Sequence, residues 1–126
     1  MESLVINEVK GSPYYPSVHF NAETGVCEMR GESYMEETYK FYEPLIAWIN
    51  EYMKQKKPLE IDFKLTYFNT NSSRLILDLL DMVKKYKDTG GTVTVKWYYD
   101  KKDPDMVEEV EDFILESGMN ISLISY

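Results

Sequence analysis

Cysteine and histidine each occur once in these 126 residues, as Cys27 and His19. A lone thiol excludes an internal disulfide, and one thiol with one imidazole excludes the paired Cys and His spacings of structural zinc sites. Long apolar runs are missing as well. None approaches the ~20 residues that span a bilayer, and Met1-Glu-Ser-Leu-Val5 has neither the basic nor the apolar region of a secretion signal. The expectation is a cytoplasmic protein with no membrane association. Positive charge is in deficit, with 14 Lys and Arg against 22 Asp and Glu and a formal net charge of −8. That field repels polyphosphate and anionic lipid, which argues against nucleic acid as a partner. Two short basic clusters, Lys54 with Lys56 and Lys57, and Lys84 with Lys85 and Lys87, fall at the ends of predicted helices and read as dipole complement and solubility.

The motifs of common chemistries are absent too. There is no GxGxxG, no GxxxxGK[ST] and no GxSxG. Asp100, Asp103 and Asp105 lack the glycine and the distal glutamate of a calcium loop, so they read as a solvated helix start. His19 and Cys27 fall in predicted strands with no partner to activate either, and read as structural residues. No enzyme, metal site or cofactor is expected.

What the chain does have is aromatic side chains, eleven Tyr, five Phe and two Trp, within a hydrophobic share of 44%. That is a globular composition, and the length suits one domain, residues 1–126, with a single core. Leu4–Val9, Ser17–Phe20 and Val26–Arg30 alternate apolar with polar residues, and the turn Asn21-Ala-Glu-Thr-Gly25 between the last two has the length of a hairpin loop. Phe41, Leu45, Trp48, Ile49 and Tyr52 then form one stripe of a helix from about Glu37, kinked at Pro44. Leu59–Phe68 reads as a strand. Leu75, Ile76, Leu79, Leu80, Val83 and Tyr86 mark a second helix, stopped at Thr89-Gly-Gly91. Thr92–Tyr98 is a β-branched strand, Asp103-Pro-Asp105 opens a third helix, and Asn120–Ser125 closes the chain as a strand. The order predicts an α/β fold, a mixed sheet of about five to six strands with an N-terminal β-hairpin and three helices packed against it.

One junction stands out. Between the strand ending at Phe68 and the second helix, Asn69-Thr-Asn-Ser-Ser73 offers five consecutive Asn, Thr or Ser residues, where a helix cap needs one. It would lift Thr70, Ser72 and Ser73 toward solvent beside free helix N–H groups that favour a phosphate. Capping alone remains open, as does an anion cradle at Asn71 to Ser73 with Arg74 as its one cation. Tyr34, Tyr39, Tyr42 and Trp48 around the first helix, and Trp97, Tyr98 and Tyr99 at the end of a strand, are either core residues or a contact surface for a partner.

This layout resembles the STAS fold of anti-sigma-factor antagonists, in which a Ser or Thr at a helix start is phosphorylated to switch partners. More closely, Gly31-Glu-Ser-Tyr34, Trp48, Tyr67-Phe-Asn-Thr-Asn-Ser-Ser73 and Trp97-Tyr-Tyr-Asp100 are similar to the SiaC family of bacterial regulatory phosphoproteins. The resemblance implies a STAS-like single domain with Thr70 as phospho-acceptor and Ser72 and Ser73 as secondary candidates. Asn69, Asn71, Arg74, Tyr34 and Tyr67 would lie beside the phosphate or against a partner. Asn71 stands where a serine is common in the family. The implied partners are a protein kinase and a PP2C-type phosphatase acting on Thr70, and a diguanylate cyclase activated by the unphosphorylated form. Cyclic-di-GMP output and biofilm or aggregation behaviour would follow. An anti-sigma-factor antagonist and a small anion-binding domain are the alternatives.

Overall fold

Strict alternation along residues 59–65 explains the architecture of the computed structural model, which describes residues 1–126: Leu59, Ile61, Phe63 and Leu65 are buried while Glu60, Asp62 and Lys64 are only half covered. A strand patterned this way packs one face on a core and turns the other to water. The elements are β1 (Leu4–Ile6), β2 (Ser17–Phe20), β3 (Val26–Ser33), α1 (Thr38–Met53), β4 (Leu59–Phe68), α2 (Thr70–Asp88), β5 (Val93–Tyr99), α3 (Pro104–Ser117) and β6 (Ser122–Ser125).

The strands form one mixed sheet in chain order, β1-β2-β3-β4-β5-β6. The first three pair antiparallel and β3 to β6 pair parallel. Successive right-handed crossovers in one direction put all three helices on the same face, and α2 packs between α1 and α3. Register then fixes what each face carries. Cys27, Ile61 and Val95 share one inward row, and Met29, Phe63 and Trp97 the next. Trp97 stacks on Phe63 at 4.6 Å between centroids and meets Phe68 edge-on at 5.8 Å. Each such fully buried side chain contributes at most about 1.5–3 kcal/mol by leaving water. The opposite face carries the row His19, Glu28, Asp62, Lys96 and Ser122.

Local chemistry sets the element ends. Asn21 Oδ1 accepts from the Glu23 and Thr24 amides at 2.9 and 3.1 Å, closing the β2–β3 turn. Gly25 has φ +76°, and a Cβ there would fall on the Tyr52 hydroxyl and the Pro58 carbonyl. No other residue fits that turn. Two expectations need adjusting. The first strand stops at Ile6 rather than Val9, because Val9 leaves the sheet edge to bridge Tyr15, with N–H···O distances of 3.0 and 2.9 Å. The basic cluster Lys54 to Lys57 lies past the last turn of α1, which holds no basic residue, whereas Lys85 and Lys87 do sit in the last turn of α2. Helix α1 runs through Pro44, whose side is exposed to water. No helix is long and apolar enough to cross a membrane.

Candidate functional site

Strand β4 delivers the chain to α2 through a single residue, Asn69. Its backbone is extended (φ −80°, ψ 174°), so its side chain turns back over the first turn and Oδ1 accepts the Ser72 N–H at 2.9 Å. Asn69 Nδ2 donates to the Met35 carbonyl at 3.3 Å and the Asn69 N–H to the Ser33 carbonyl at 3.0 Å. One asparagine therefore caps the helix and ties it to the end of β3.

The three hydroxyls of the junction have different fates. Thr70, the first helical residue, is exposed, and its carbonyl accepts from Ser73 Oγ at 2.9 Å. Ser73 is half-buried. Ser72 is fully enclosed: its Oγ lies 2.7 Å from Ser33 Oγ and donates to the Ser33 carbonyl at 3.2 Å. Ser33 Oγ in turn lies 2.8 Å from the Tyr42 hydroxyl, which burial pushes up to a pKa of about 12 despite the hydrogen bonds from Ser33 and Ser72 that pull it down. This closed hydroxyl network locks the start of α2 onto β3 and α1. A kinase would reach Ser72 only by pulling that network apart, so the geometry disfavours it as an acceptor. A signal for this lies in the sequence, since Ser72 precedes Ile76, Leu79 and Val83 at helical spacing and so continues the buried stripe.

Around Thr70 the surface is aromatic and acidic. Tyr34 and Tyr67 are each 46% exposed and lie 6.2 Å apart between ring centroids. Asn69 and Asn71, the neighbours of Thr70, line a groove of about 590 Å³ together with Pro13, Tyr15, Tyr34 and Met35. Glu36 and Glu37 complete its border. The stretch Ser12 to Tyr15 reaches the site because Tyr14 pairs with Tyr34 in both directions, at 2.7 and 3.0 Å. Neither that stretch nor the two glutamates was singled out by sequence pattern. Arg74 is exposed one turn beyond Thr70, on the same side of α2. First-turn acidic residues are absent from α2, so the positive end of its dipole is uncompensated.

Elsewhere, Cys27 is a core residue whose thiol is pushed up by burial and by Asp62, and His19 is exposed on β2. Asp100 Oδ1 accepts the Lys102 N–H at 2.9 Å just ahead of α3.

A one-faced α/β sheet that presents an exposed threonine at a capped helix start, beside an aromatic groove, has the form of a regulatory binding domain. Comparison with known proteins agrees. The family model described as SiaC family regulatory phosphoprotein matches residues 9–126, and the chain belongs to that family. An uncharacterized protein of Pseudomonas aeruginosa (strain UCBPP-PA14) is 29% identical over 106 residues, 83% of this chain and 84% of that one. The structure of SiaC of Pseudomonas aeruginosa superposes with a TM-score of 0.90 at 26% identity, covering 100% of both chains. So does a crystal structure of the diguanylate cyclase SiaD in complex with its activator SiaC from the same species, with a TM-score of 0.91 at 26% identity over 98% of this chain and 99% of that one. The expected α/β fold, with its six strands and three helices, is thereby that of the solved SiaC structures.

Proposed function

We propose that this protein is a non-catalytic switch that binds and activates a diguanylate cyclase while Thr70 is unmodified, and is released when Thr70 is phosphorylated. The observation that carries the reading is the position of Thr70: the first residue of α2, exposed, and flanked by two groove-lining asparagines. The relation of SiaC to SiaD in a closely superposing structure supports the choice of partner. In this reading Tyr34, Tyr67, Asn69, Asn71 and Arg74 lie at or beside the contact with the cyclase. A dedicated kinase and a PP2C-type phosphatase set the state of Thr70, and cyclic-di-GMP and biofilm formation are the output in the cytoplasm.

The mechanism follows from charge and space. A phosphate brings about −1.5 to −2 charges. The unpaired helix dipole and Arg74 accommodate that charge, so the fold survives. A partner seated in the groove meets a hydrated dianion at its rim, next to Glu36 and Glu37, and must desolvate it.

The test is cyclic-di-GMP synthesis by the host cyclase with four forms of the protein. Unmodified protein and Thr70→Ala should stimulate it, Thr70-phosphorylated protein should not, and Thr70→Asp should fall between, having one charge and no tetrahedral oxygens. Equal stimulation by phosphorylated and unmodified protein overturns the switch. Capture of a sigma-regulating kinase in place of a cyclase would turn the reading toward an anti-sigma-factor antagonist.

A further inference from the structure

A second hollow, of about 380 Å³, lies on the open face of the sheet and shares no lining residue with the groove beside Thr70. Arg30 and Lys64 face each other across β3 and β4, and Tyr98 follows the Phe63–Trp97 pair on β5, so one register row brings the three together. Thr66 and Tyr126 close the border. The position is toward the carboxyl ends of the parallel strands, the end at which open α/β sheets hold ligands.

The charge here opposes that of the molecule. On a chain with a net charge of −8, the residues around this hollow supply two cations and no acidic side chain. Asp62, beside Glu28 on this face, also acts on Lys64, and Glu28 pairs with both cations, at 2.6 Å from Lys64 Nζ and 3.2 Å from the Arg30 guanidinium. The Lys64 hydrogen bond is the main reason its carboxyl is held below the usual range. The Arg30 side chain is 59% exposed with most of its N–H fork unused, and it is the cation of the pair with donors free to meet an anion.

The rest of the lining is aromatic. Lys64 Nζ lies 5.0 Å from the Tyr98 ring centroid, which places a cation beside a π surface. Tyr126 is held over the same region by its N–H to the Tyr99 carbonyl at 3.0 Å and by the Lys101 N–H to its own carbonyl at 3.1 Å. Thr66 Oγ1 donates to the Gly31 carbonyl at 3.4 Å and fixes the rim. Cations for an acid group, tyrosine rings for a flat one, and a volume at the lower end of ligand sites are found together.

We propose that the hollow bordered by Arg30, Lys64, Thr66, Tyr98 and Tyr126 is a binding site for a small anionic molecule with a planar ring, in the class of nucleotides. Its phosphate meets Arg30 and Lys64 while its base lies on tyrosine. The site is independent of the groove at Thr70, although Thr66 stands on the strand that leads into it.

The test is an amide NMR titration of the full chain with guanosine 5′-monophosphate, adenosine 5′-monophosphate, cyclic-di-GMP, guanosine and inorganic phosphate. At least one of the three nucleotides should saturate and shift the amides of Arg30, Gly31, Thr66 and Tyr98, and the tightest names the source. Guanosine and phosphate, each holding half of the chemistry, should bind at least tenfold more weakly. Arg30→Gln, an exposed substitution that leaves the melting temperature in place, should weaken the nucleotide about tenfold or more. Tyr98→Leu should weaken nucleotides and leave phosphate unchanged. The proposal is overturned if no nucleotide shifts these amides, if phosphate binds as tightly as the nucleotides, or if Arg30→Gln binds like the parent chain.

Discussion

Asp62 stands in the middle of the open sheet face with Glu28 on one side, Lys96 on the other and Glu60 two residues before it on its own strand. Its Oδ1 is enclosed without a hydrogen-bond partner. Burial, and then its hydrogen bond and repulsion with Glu60, raise its pKa from the usual 3.8 to about 6. The sign follows from proton binding. Between these two values the folded chain holds a proton that the unfolded chain has released, so stability is lost as pH rises through the window. Above it the charged carboxylate is a standing penalty. Asp62→Asn should therefore stabilise the protein at about pH 7.5 by about 1 kcal/mol, a figure reduced for the solvent that reaches this half-exposed group. The gain should shrink to nothing below about pH 4. Urea unfolding of both forms at about pH 4, 6 and 7.5 measures it, and a gain that does not vary with pH would rule out the titration of Asp62 as its cause.

At the scale of elements, α2 presents two serine or threonine hydroxyls within one turn to opposite environments, Thr70 to water and Ser72 to the core. Charge at these two positions should have opposite consequences. Thr70→Asp places a carboxylate at a positive helix end that has no other acid, and should change stability by no more than about 0.5 kcal/mol, in the favourable direction. Ser72→Asp buries an unpaired charge beside Ser33 and Tyr42 and should cost roughly 3–5 kcal/mol. Thermal melts of the two variants read the contrast; a Thr70→Asp chain that melts early would remove Thr70 as a surface switch. The contrast also marks what was legible in the sequence. Strand β4 and the approximate extents of α2, β5 and α3 follow from alternation and helical spacing, because each buries one face. The Asn69–Ser73 run was legible as a helix start, but its members look alike by residue type. Only their phase against Ile76 and Leu79 separates the buried hydroxyl from the exposed one. The groove was not legible. Its walls come from the Ser12–Tyr15 loop, the β3–α1 turn and α2, and a β-bridge between Tyr14 and Tyr34 that no local pattern signals brings the first two together.

Across the whole molecule, 25 buried residues drawn from every helix and from most strands pack into one cluster, from Val18 in β2 to Ile121 just before β6. The two tryptophans sit far apart within that organisation. Trp48 on α1 packs on Phe20 and donates its indole N–H to the Glu2 carbonyl at 2.8 Å, reporting on the N-terminal hairpin. Trp97 lies at the centre of β5, stacked between Phe63 and Phe113, and reports on the parallel half of the sheet. If residues 1–126 behave as one domain, loss of either half exposes core belonging to the other, and the two halves cannot melt separately. Single-tryptophan chains made by Trp48→Phe and by Trp97→Phe test this. Each should show one fluorescence transition coincident with its own far-UV circular dichroism, even if the two variants differ in midpoint. Trp97→Phe has an added feature, since the Trp97 indole N–H is enclosed without a partner. Removing that unsatisfied donor offsets part of the lost packing, so its destabilisation should stay within about 2 kcal/mol, below the usual range for truncating a buried tryptophan. A fluorescence transition that precedes the circular dichroism in the Trp48-only chain would mean that the N-terminal hairpin and α1 open as a separate unit. Thr70 would then sit where that unit, through Ser33 and Tyr42, meets the start of α2.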